Sequence, residues 1–433
     1  MTSEMIGVSG IVALFALLAL RMPVGIALMV VGTVGIWVMT NLTVALSTLG
    51  DETWVVVTQS TLIVIPLFIL MGNVASVSGM SRNLYDAAFA FIGHWRGGLA
   101  GATILGCGGF AALSGSSVAS ALTMGRVALP EMERFKYDDR LATGAVAAGG
   151  TLGILIPPST GFIVYAILTE ESIGQLFMAG IFPGLLLMTF FVLTVVIVCA
   201  FNPALGPSGV KTPFKERLKA LTAAAPLLII VLVTIGGIYR GIFTPVEAAG
   251  VGAVLTGIVA ILRKKFSVAT SVEVLLRTVK TTAMTYLILI GAHVFTPFLA
   301  RSHLPEVLVD GLVGLGLGAY GTLIVVLIAL IILGTFLEGL AMLVLTLPII
   351  FPIILTLGFD PIWFGVLMVI VLEMGLITPP VGLNVFLVKM IAPRVPLHRI
   401  FAGIAPFWFA MLAVLILLIL VPQIATYLPE KMF

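Results

Sequence analysis

The chain has 433 residues, of which 60% are hydrophobic and only 9% are charged, and its formal net charge is +3. Soluble domains carry about 25% charged residues, so this composition excludes a soluble protein and indicates an all-α polytopic membrane protein. The apolar stretches are also too long for an outer-membrane barrel, whose strands are alternating segments of about ten residues. Lysine and arginine mostly flank the apolar stretches, as membrane topology requires, so no nucleic-acid partner is expected.

About ten segments of the chain are long and apolar enough to cross a bilayer, which requires roughly 20 residues. The first has no basic stretch ahead of it, so we expect an uncleaved span and not a signal peptide. Segments 81–95 and 303–316 have mixed polar and apolar faces, which predict helices lying along the membrane interface. The predicted spans are 5–20, 22–40, 54–78, 141–168, 174–200, 222–239, 244–262, 279–300, 361–390 and 400–427.

Two apolar stretches, 97–127 and 318–357, are too long for one crossing and carry small or polar residues at their centres. These centres read SGSS at 114–117 and GTFLEG at 334–339. We interpret both stretches as re-entrant hairpins, because such tips are tolerated only inside protein or beside a water-filled cavity. Ser116 or Ser117 can cap the returning helix of the first hairpin.

The basic residues divide unequally between the two faces of the membrane when ten crossings and two hairpins are assumed. With the N-terminus outside, 19 of the 22 lysines and arginines lie on the cytoplasmic side. Only Arg240, Arg301 and Lys431 lie outside. Because cytoplasmic loops are enriched in basic residues, the sequence predicts that both termini are periplasmic.

Two predicted spans, 141–168 and 361–390, contain adjacent prolines, at Pro157–Pro158 and Pro379–Pro380. A proline inside a helix removes an N–H and clashes with an earlier carbonyl, at a cost of about 3 kcal/mol or more. Within a membrane such a break is stabilised when an ion or water replaces the missing backbone partners. Freed carbonyls suit a cation such as Na⁺, and the N-terminus of a half-helix suits an anion.

The two proline pairs lie 222 residues apart, and motifs around them align at nearly the same offset. Gly153 aligns with Gly375, and QLFMAGIFPG at 175–184 aligns with HRIFAGIAPF at 398–407 after one inserted residue. Each unit then contains a span, an interface helix, a hairpin, a broken span and a final span. The charge distribution gives the two units opposite orientations, and such inverted repeats are typical of secondary transporters with a substrate near the midplane.

Three acidic residues lie inside apolar segments, where charged residues are functional candidates by default. Glu247 also forms a capping-box pattern with Thr244, so a structural and a functional role both stay open. Glu338, at the centre of the second hairpin, has no comparable capping pattern. Glu373 lies two residues before Gly375. For Glu338 and Glu373, a coupling role and a structural role both stay open.

Four stretches carry a family resemblance. Together they resemble the large membrane subunit of tripartite ATP-independent periplasmic (TRAP) transporters of the dicarboxylate and sialate type. The resemblance covers nearly the whole chain, and the motifs are specific in combination. The four stretches are GFAALSGSSVASALTMG (109–125), GGTLGILIPPS (149–159), GIFTPVEAAGVGA (241–253) and GLITPPVGLNVF (375–386).

The resemblance implies Na⁺-coupled import of a small organic anion, such as a C4-dicarboxylate or sialate, across the bacterial inner membrane, with no organic cofactor. Beyond the surrounding lipid, it implies two partners: a small four-span membrane subunit and a periplasmic substrate-binding protein. It also implies an elevator mechanism, in which a transport domain moves against a scaffold. The expected scaffold comprises 1–96 and 202–317, and the expected transport domain comprises 97–201 and 318–433.

By the same resemblance, small oxygen-bearing residues at the breaks and hairpin tips would hold Na⁺ and the substrate. One Na⁺ site would be lined by Ser114, Ser116 and the backbone from Gly153 to Pro157. The other would be lined by Gly334, Thr335 and the backbone from Gly375 to Thr378, although this tip lacks the serine cluster of the first. Candidates for the substrate wall are Ser117, Pro158, Ser159, Pro380 and Asn384.

Three alternatives stay open at this point. The chain could be a stand-alone elevator-type anion transporter without a binding protein, or H⁺ could replace Na⁺ as the coupling ion. An intramembrane enzyme is the least favoured alternative, because the four histidines are scattered and form no H-E-x-x-H motif. The sequence also contains no Walker A motif, which argues against ATP-driven transport by this chain.

Overall fold

The computed structural model describes residues 2–209, 211–314 and 316–432, and every regular element in these ranges is helical. The all-α prediction is therefore confirmed for the described part of the chain. Met1, Val210, Leu315 and Phe433 fall within the predicted ranges but lie outside the described residues, as does the side chain of Val313.

Helices of the first half follow the predicted order; a helix, Met80–Ile92, lies at the predicted segment 81–95, and the first hairpin forms a helix pair. Short 3₁₀ helices at Ser60–Ile63 and Pro203–Leu205 connect some of them. The α-helices are α1 (Ser3–Ala19), α2 (Val24–Met39), α3 (Leu42–Thr58), α4 (Val64–Val77), α5 (Met80–Ile92), α6 (Gly98–Ser114), α7 (Ser117–Arg134), α8 (Asp139–Leu155), α9 (Thr160–Thr169) and α10 (Ile173–Phe201).

The second half of the described chain contains ten further α-helices, the last of which is amphipathic. They are α11 (Phe214–Tyr239), α12 (Pro245–Leu262), α13 (Val268–Ser302), α14 (Leu304–Gly314), α15 (Gly318–Gly334), α16 (Gly339–Thr356), α17 (Pro361–Leu376), α18 (Leu383–Ile391), α19 (Leu397–Leu420) and α20 (Gln423–Met432).

Besides the two spans with proline pairs, two predicted spans are not continuous helices, and proline explains both corrections. The predicted span 54–78 is divided between α3 and α4, because the Pro66 ring would clash with the carbonyl four residues earlier in an unbroken helix. The predicted span 400–427 ends as α19 at Leu420, because Pro422 disfavours the helical conformation at Val421. The return helix of the first hairpin, α7, also continues past the predicted end at 127 to Arg134.

Eight helical segments of the described chain are long and apolar enough to cross a membrane, judged by length and composition, and five further apolar helices are shorter. This establishes a multi-pass helical protein, while the predicted ten crossings and the re-entrant depth of the hairpins stay predictions. Both hairpins are present as helix pairs, since α6 packs against α7 and α15 packs against α16.

The core of the protein lies around the first halves of the two proline-broken spans. Every residue of α8 from Leu141 to Leu155 is buried, and so is every residue of α17 from Ile362 to Leu376. A helix that is apolar on all sides is stable only when it is surrounded by other elements. α8 is covered by α6, α7 and α19, and α17 is covered by α10, α15 and α16, so the hairpins wrap the broken helices.

A capping box starts α12 as the sequence predicts. The Thr244 N–H donates to Glu247 Oε2 at 2.8 Å, and the Glu247 N–H donates to Thr244 Oγ1 at 3.3 Å. Both partners satisfy backbone groups that the first helical turn would otherwise leave without a hydrogen bond. The structural role considered for Glu247 is therefore confirmed.

Replacing Glu247 by alanine is expected to lower the midpoint of thermal unfolding by a few degrees, because the Thr244 N–H loses its acceptor. Glu247→Gln keeps an oxygen acceptor at the same place and should retain most of the wild-type stability. Thermal unfolding of the detergent-purified protein measures both variants. Loss of transport in both variants at unchanged stability would show that the carboxylate has a functional role beyond capping.

Candidate functional site

The first helix break lies directly against the tip of the first hairpin. α9 begins at Thr160 after the non-helical residues 156–159, and the tip consists of Gly115 and Ser116. The Thr160 hydroxyl donates to the Gly115 carbonyl at 2.7 Å, and the Thr160 N–H donates to the same oxygen at 3.3 Å. The hairpin tip therefore supplies an acceptor to the start of the second half-helix.

Serines cap both helices that begin at this junction. Ser116 Oγ accepts the Ala119 N–H at 3.4 Å, and Ser159 Oγ accepts the Phe162 N–H at 3.2 Å. The capping role predicted for Ser116 is thus confirmed. A Cβ on Gly153 would lie 2.5 Å from the Ser116 carbonyl oxygen, so only glycine lets α8 approach the tip this closely.

The second break meets the second hairpin tip in a similar way. The non-helical residues 377–382 separate α17 from α18, and the Gly382 N–H donates to the Thr335 carbonyl at 3.4 Å. A Cβ on Gly375 would lie 2.6 Å from the Gly334 Cα, so the backbones of α17 and α15 touch at these two glycines. The residues predicted to form the second Na⁺ site are therefore neighbours.

Hydroxyl groups predicted as Na⁺ ligands already have one or two partners. The Thr378 hydroxyl donates to the Met374 carbonyl at 2.6 Å and accepts the indole N–H of Trp408 at 2.9 Å. Ser114 Oγ and Ser120 Oγ lie 3.0 Å apart and share a hydrogen bond. Since a hydroxyl oxygen has two lone pairs, each predicted ligand keeps an acceptor position for an ion.

Glu338 has a capping role that the sequence analysis did not foresee. It is the N-cap residue of α16, and its Oε2 accepts the Ala341 N–H at 3.1 Å. The expectation that Glu338 lacks a capping pattern is therefore wrong. The helix α16 starts at Gly339, directly after the non-helical tip of the hairpin. The sequence alone did not define where this tip ends, so it did not identify Glu338 as the N-cap residue.

Buried polar atoms without partners lie beside the second break. Ser117 Oγ donates to Glu373 Oε1 at 2.5 Å, while Glu373 Oε2 has no hydrogen-bond partner among the described residues. The side chain of Asn384 is fully buried, and neither its nitrogen nor its oxygen has a partner in the described chain. Buried polar groups are rarely left unpaired in proteins, so these atoms are candidates for contact with a ligand or ion.

The two breaks differ in exposure, although both Pro–Pro peptide bonds are cis. Pro157, Pro158 and Ser159 are buried, whereas Pro379 and Pro380 are exposed. The tip residue Phe336 of the second hairpin is also exposed, at 63%. The structure therefore does not bring all the candidates for the substrate wall to one surface.

Three cavities of the described chain lie away from these junctions. Their volumes are about 490, 920 and 360 Å³, and none is lined by a residue predicted for the ion or substrate sites. The largest lies between the 59–63, 170–174 and 241–246 segments. Burial raises the pKa of Glu171 in this cavity, and the nearby Asp360 carboxylate adds to the shift.

Sequence reasoning missed three side chains that complete the two junctions: Thr160, Ser120 and Trp408. Thr160 follows the helix-capping Ser159, so its position next to a helix start was a usable signal. Ser120 lies one turn beyond the serine cluster at 114–117. The contact of Trp408 with Thr378 joins residues 30 positions apart on different helices, and no local pattern predicts it.

The fold and the junctions define a class of protein, a multi-pass helical membrane transporter. Broken helices within a membrane protein are characteristic of secondary transporters, because the open backbone can bind ions and substrate. The fold resembles the crystal structure of the YdaH transporter of Alcanivorax borkumensis, with a TM-score of 0.51. The two chains are 15% identical, and the match covers 87% of this chain and 88% of the other, so the likeness concerns the fold alone.

Residues 11–424 match the family model described as "Tripartite ATP-independent periplasmic transporter, DctM component". The C4-dicarboxylate TRAP transporter large permease protein DctM of Pseudomonas aeruginosa is 39% identical, with 86% of each chain covered. The sialic acid TRAP transporter large permease protein SiaM of Vibrio cholerae is 31% identical, with 98% of each chain covered. The chain belongs to the DctM family of TRAP transporter large permease subunits, so it is a transporter component and not an enzyme.

Replacing Gly375 by alanine is expected to push α17 away from the second hairpin tip, because the new methyl group would overlap the Gly334 backbone. Overpacking of this kind costs about 1–3 kcal/mol, and we expect transport to fall at least about tenfold. Gly339→Ala is the matched control, since its Cβ would meet only Leu376 Cδ1 at 3.6 Å. Uptake and thermal stability are measured for both; equal effects of the two changes would contradict the close-approach role.

Proposed function

We propose that this chain is the membrane permease that imports a small organic anion together with Na⁺. The observation that carries the proposal is that each broken helix meets the tip of a helical hairpin through backbone and hydroxyl oxygens. At the first junction the contact is made by Thr160 and the Gly115 carbonyl, and at the second by Gly382 and the Thr335 carbonyl. This arrangement supports ion binding between a break and a tip.

The first junction offers uncharged oxygens that suit Na⁺. Because residues 157 and 158 are prolines, the carbonyls of Gly153 and Ile154 lose the N–H donors that a continuous helix would provide. Ser114 and Ser116 add hydroxyl oxygens on the opposite side of the junction. We propose that a Na⁺ ion takes the place of the missing donors here.

The second junction differs in one respect. The Gly375 carbonyl accepts the Thr378 N–H at 3.0 Å, so part of the broken helix is already satisfied by a tighter turn. Thr378 Oγ1 and the remaining carbonyls at the end of α17 are the oxygens available to a second Na⁺. The alternative is H⁺ coupling, which would require a titratable group outside the two proposed ligand sets.

The exposed second break also suits an anion. α18 starts at Leu383, and its N-cap residue Gly382 provides no side-chain hydrogen bond to the first turn. The N–H groups at a helix N-terminus attract negative charge, and the unpartnered Asn384 side chain lies in the same turn. We propose that a substrate carboxylate binds at this N-terminus, next to Pro380.

A small carboxylate is the substrate class best supported by the relatives. One relative transports C4-dicarboxylates and another transports sialic acid, according to their names. Both substrates are carboxylate anions, which matches the helix N-terminus proposed above. We propose the same class for this chain, and we propose that a periplasmic binding protein and a small membrane subunit complete the tripartite transporter.

Helix packing within each half of the proposed division supports a scaffold and a transport domain. α2, α3 and α4 pack around α13, and α12 packs against α4. α6, α7 and α19 pack around α8. We propose that the second set, with the ion and substrate sites, moves as an elevator against the first. Spin-label distances between the two sets that stay constant throughout transport would contradict this mechanism.

The experiment that tests the proposed function is uptake into vesicles containing the purified membrane subunits. A C4-dicarboxylate and sialic acid are the probes, with and without an inward Na⁺ gradient and with and without the binding protein. We expect uptake only when both the gradient and the binding protein are present. Uptake without the protein would favour a stand-alone transporter, and uptake driven by a pH gradient alone would favour H⁺ coupling.

The same vesicles test the proposed orientation, which the distribution of basic residues supports. Cys107 and Cys199 are both buried. We therefore expect them to react little with the reagent, so that labelling reports on an introduced cysteine. A cysteine in place of Glu171 should react with a membrane-impermeant reagent on the side from which the binding protein acts. A cysteine in place of Lys136 should react only from the other side; the reverse pattern would overturn the periplasmic placement of the termini.

Thr378→Val and Ser116→Ala are expected to raise the half-saturating Na⁺ concentration about tenfold each, equivalent to about 1.4 kcal/mol. Each change removes one proposed ligand oxygen. Two matched variants separate ligation from structure: Thr378→Ser keeps the hydroxyl, and Ser116→Gly removes it while costing the helix cap only a few tenths of a kcal/mol. Initial uptake rates are measured over a series of Na⁺ concentrations.

If the ligand assignment is right, Thr378→Ser should behave like the wild type and Ser116→Gly should behave like Ser116→Ala. An unchanged Na⁺ dependence in both Thr378→Val and Ser116→Ala would show that the sites lie elsewhere.

A further inference from the structure

A buried hydrogen bond between Ser117 and Glu373 joins the two hairpin–break junctions. Ser117 is the first residue of α7, and Glu373 lies near the end of α17; each is 1% exposed. Their side chains meet at 2.5 Å, although the residues are 256 positions apart. Ser117 follows the proposed Na⁺ ligand Ser116, and Glu373 precedes Gly375 of the other proposed site by two residues.

Glu373 depends on Ser117 for its hydrogen bonding. Oε2 has no partner, and no lysine, arginine or histidine of the described chain forms an ion pair with this residue. A buried polar group without a hydrogen bond is costly, so loss of the Ser117 donor would leave the buried carboxyl group unsatisfied.

The Glu373 carboxyl group holds the hairpin by accepting a hydrogen bond. Its Oε1 accepts the Ser117 O–H, so the tip of the first hairpin stays attached to the second broken helix without an ion pair. The link is short and rigid, because Ser117 belongs to the first turn of α7 and α17 is fully packed on all sides. A displacement of the backbone at one junction is therefore transmitted to the other.

We propose that Glu373 is a positioning residue that fastens the first hairpin tip to the second broken helix through its hydrogen bond with Ser117 and makes Na⁺ binding at the two junctions cooperative. The inference rests on the proposed Na⁺ sites and deepens their description. Neither partner needs to touch an ion. Their hydrogen bond sets the relative positions of the two sets of ligand oxygens.

A double-mutant cycle tests the proposal. Ser117→Ala removes the donor, and Glu373→Met removes the acceptor while roughly keeping the side-chain volume. Each is expected to raise the half-saturating Na⁺ concentration about fivefold, as losing one such hydrogen bond predicts, and to lower the Hill coefficient towards one. The double variant should be no worse than either single variant, because both remove the same interaction.

Two further variants complete the design. Glu373→Gln is neutral and keeps the acceptor, so it should restore the Na⁺ dependence that Glu373→Met loses. Thr151→Val is the matched control, because Thr151 occupies the corresponding position of α8, is buried, and donates only to Ala148 of its own helix at 2.6 Å. This control should leave the Hill coefficient unchanged.

Thermal unfolding of the full-length chain in Na⁺-free buffer separates this proposal from the proposed function. If added Na⁺ does not change the thermal stability of the wild type, the proposal that Na⁺ is the coupling ion is wrong. Non-additive losses of stability in the double-mutant cycle would still support the hydrogen bond between Ser117 and Glu373. Additive losses would overturn it, with or without a Na⁺ response. A Glu373→Gln variant as impaired as Glu373→Met would also overturn it, because charge and not the hydrogen bond would then matter.

Discussion

A membrane interior offers no water to backbone groups, so every N–H and carbonyl there needs a partner from the protein or its cargo. This requirement organises both junctions of the structure. Each proline pair takes two donors from its helix, and each hairpin tip approaches the gap with its own backbone. At the first junction the Gly115 carbonyl receives two hydrogen bonds from Thr160. The hairpins are therefore structural complements of the broken helices.

The fit between each hairpin tip and its broken helix depends on the close approach of their backbones. Gly153 contacts the Ser116 carbonyl, and Gly375 contacts Gly334, so each broken helix touches its hairpin without an intervening side chain. Small residues let helices approach closely in membranes, where van der Waals packing replaces the hydrophobic driving force. The fully buried α8 and α17 supply the rigid surfaces against which these contacts form. Rigidity there keeps the oxygens of each junction at fixed positions.

Much of the fold follows from local sequence patterns. Long apolar segments, adjacent prolines and a capping box each act within a few residues, so the helices, both breaks and the start of α12 could be predicted. The family resemblance was confirmed by the match over residues 11–424. Local sequence patterns did not predict the tertiary contacts. The cap formed by Glu338 depends on where the hairpin tip ends, and the contact between Trp408 and Thr378 joins two different helices. The Ser117–Glu373 bond joins two halves of the chain, so no local pattern could indicate it.

The difference between the two junctions follows from the same backbone requirement. The first break is buried and closed by hydroxyl groups, whereas the second is exposed and leaves the start of α18 without a side-chain cap. An ion needs a dry ring of oxygens, because partial charges act most strongly away from water. An incoming anion needs an accessible helix N-terminus. We propose that the buried junction serves an ion alone, whereas the open side of the second junction also admits the substrate anion, and that the hydrogen bond between Ser117 and Glu373 couples the geometry of the two junctions.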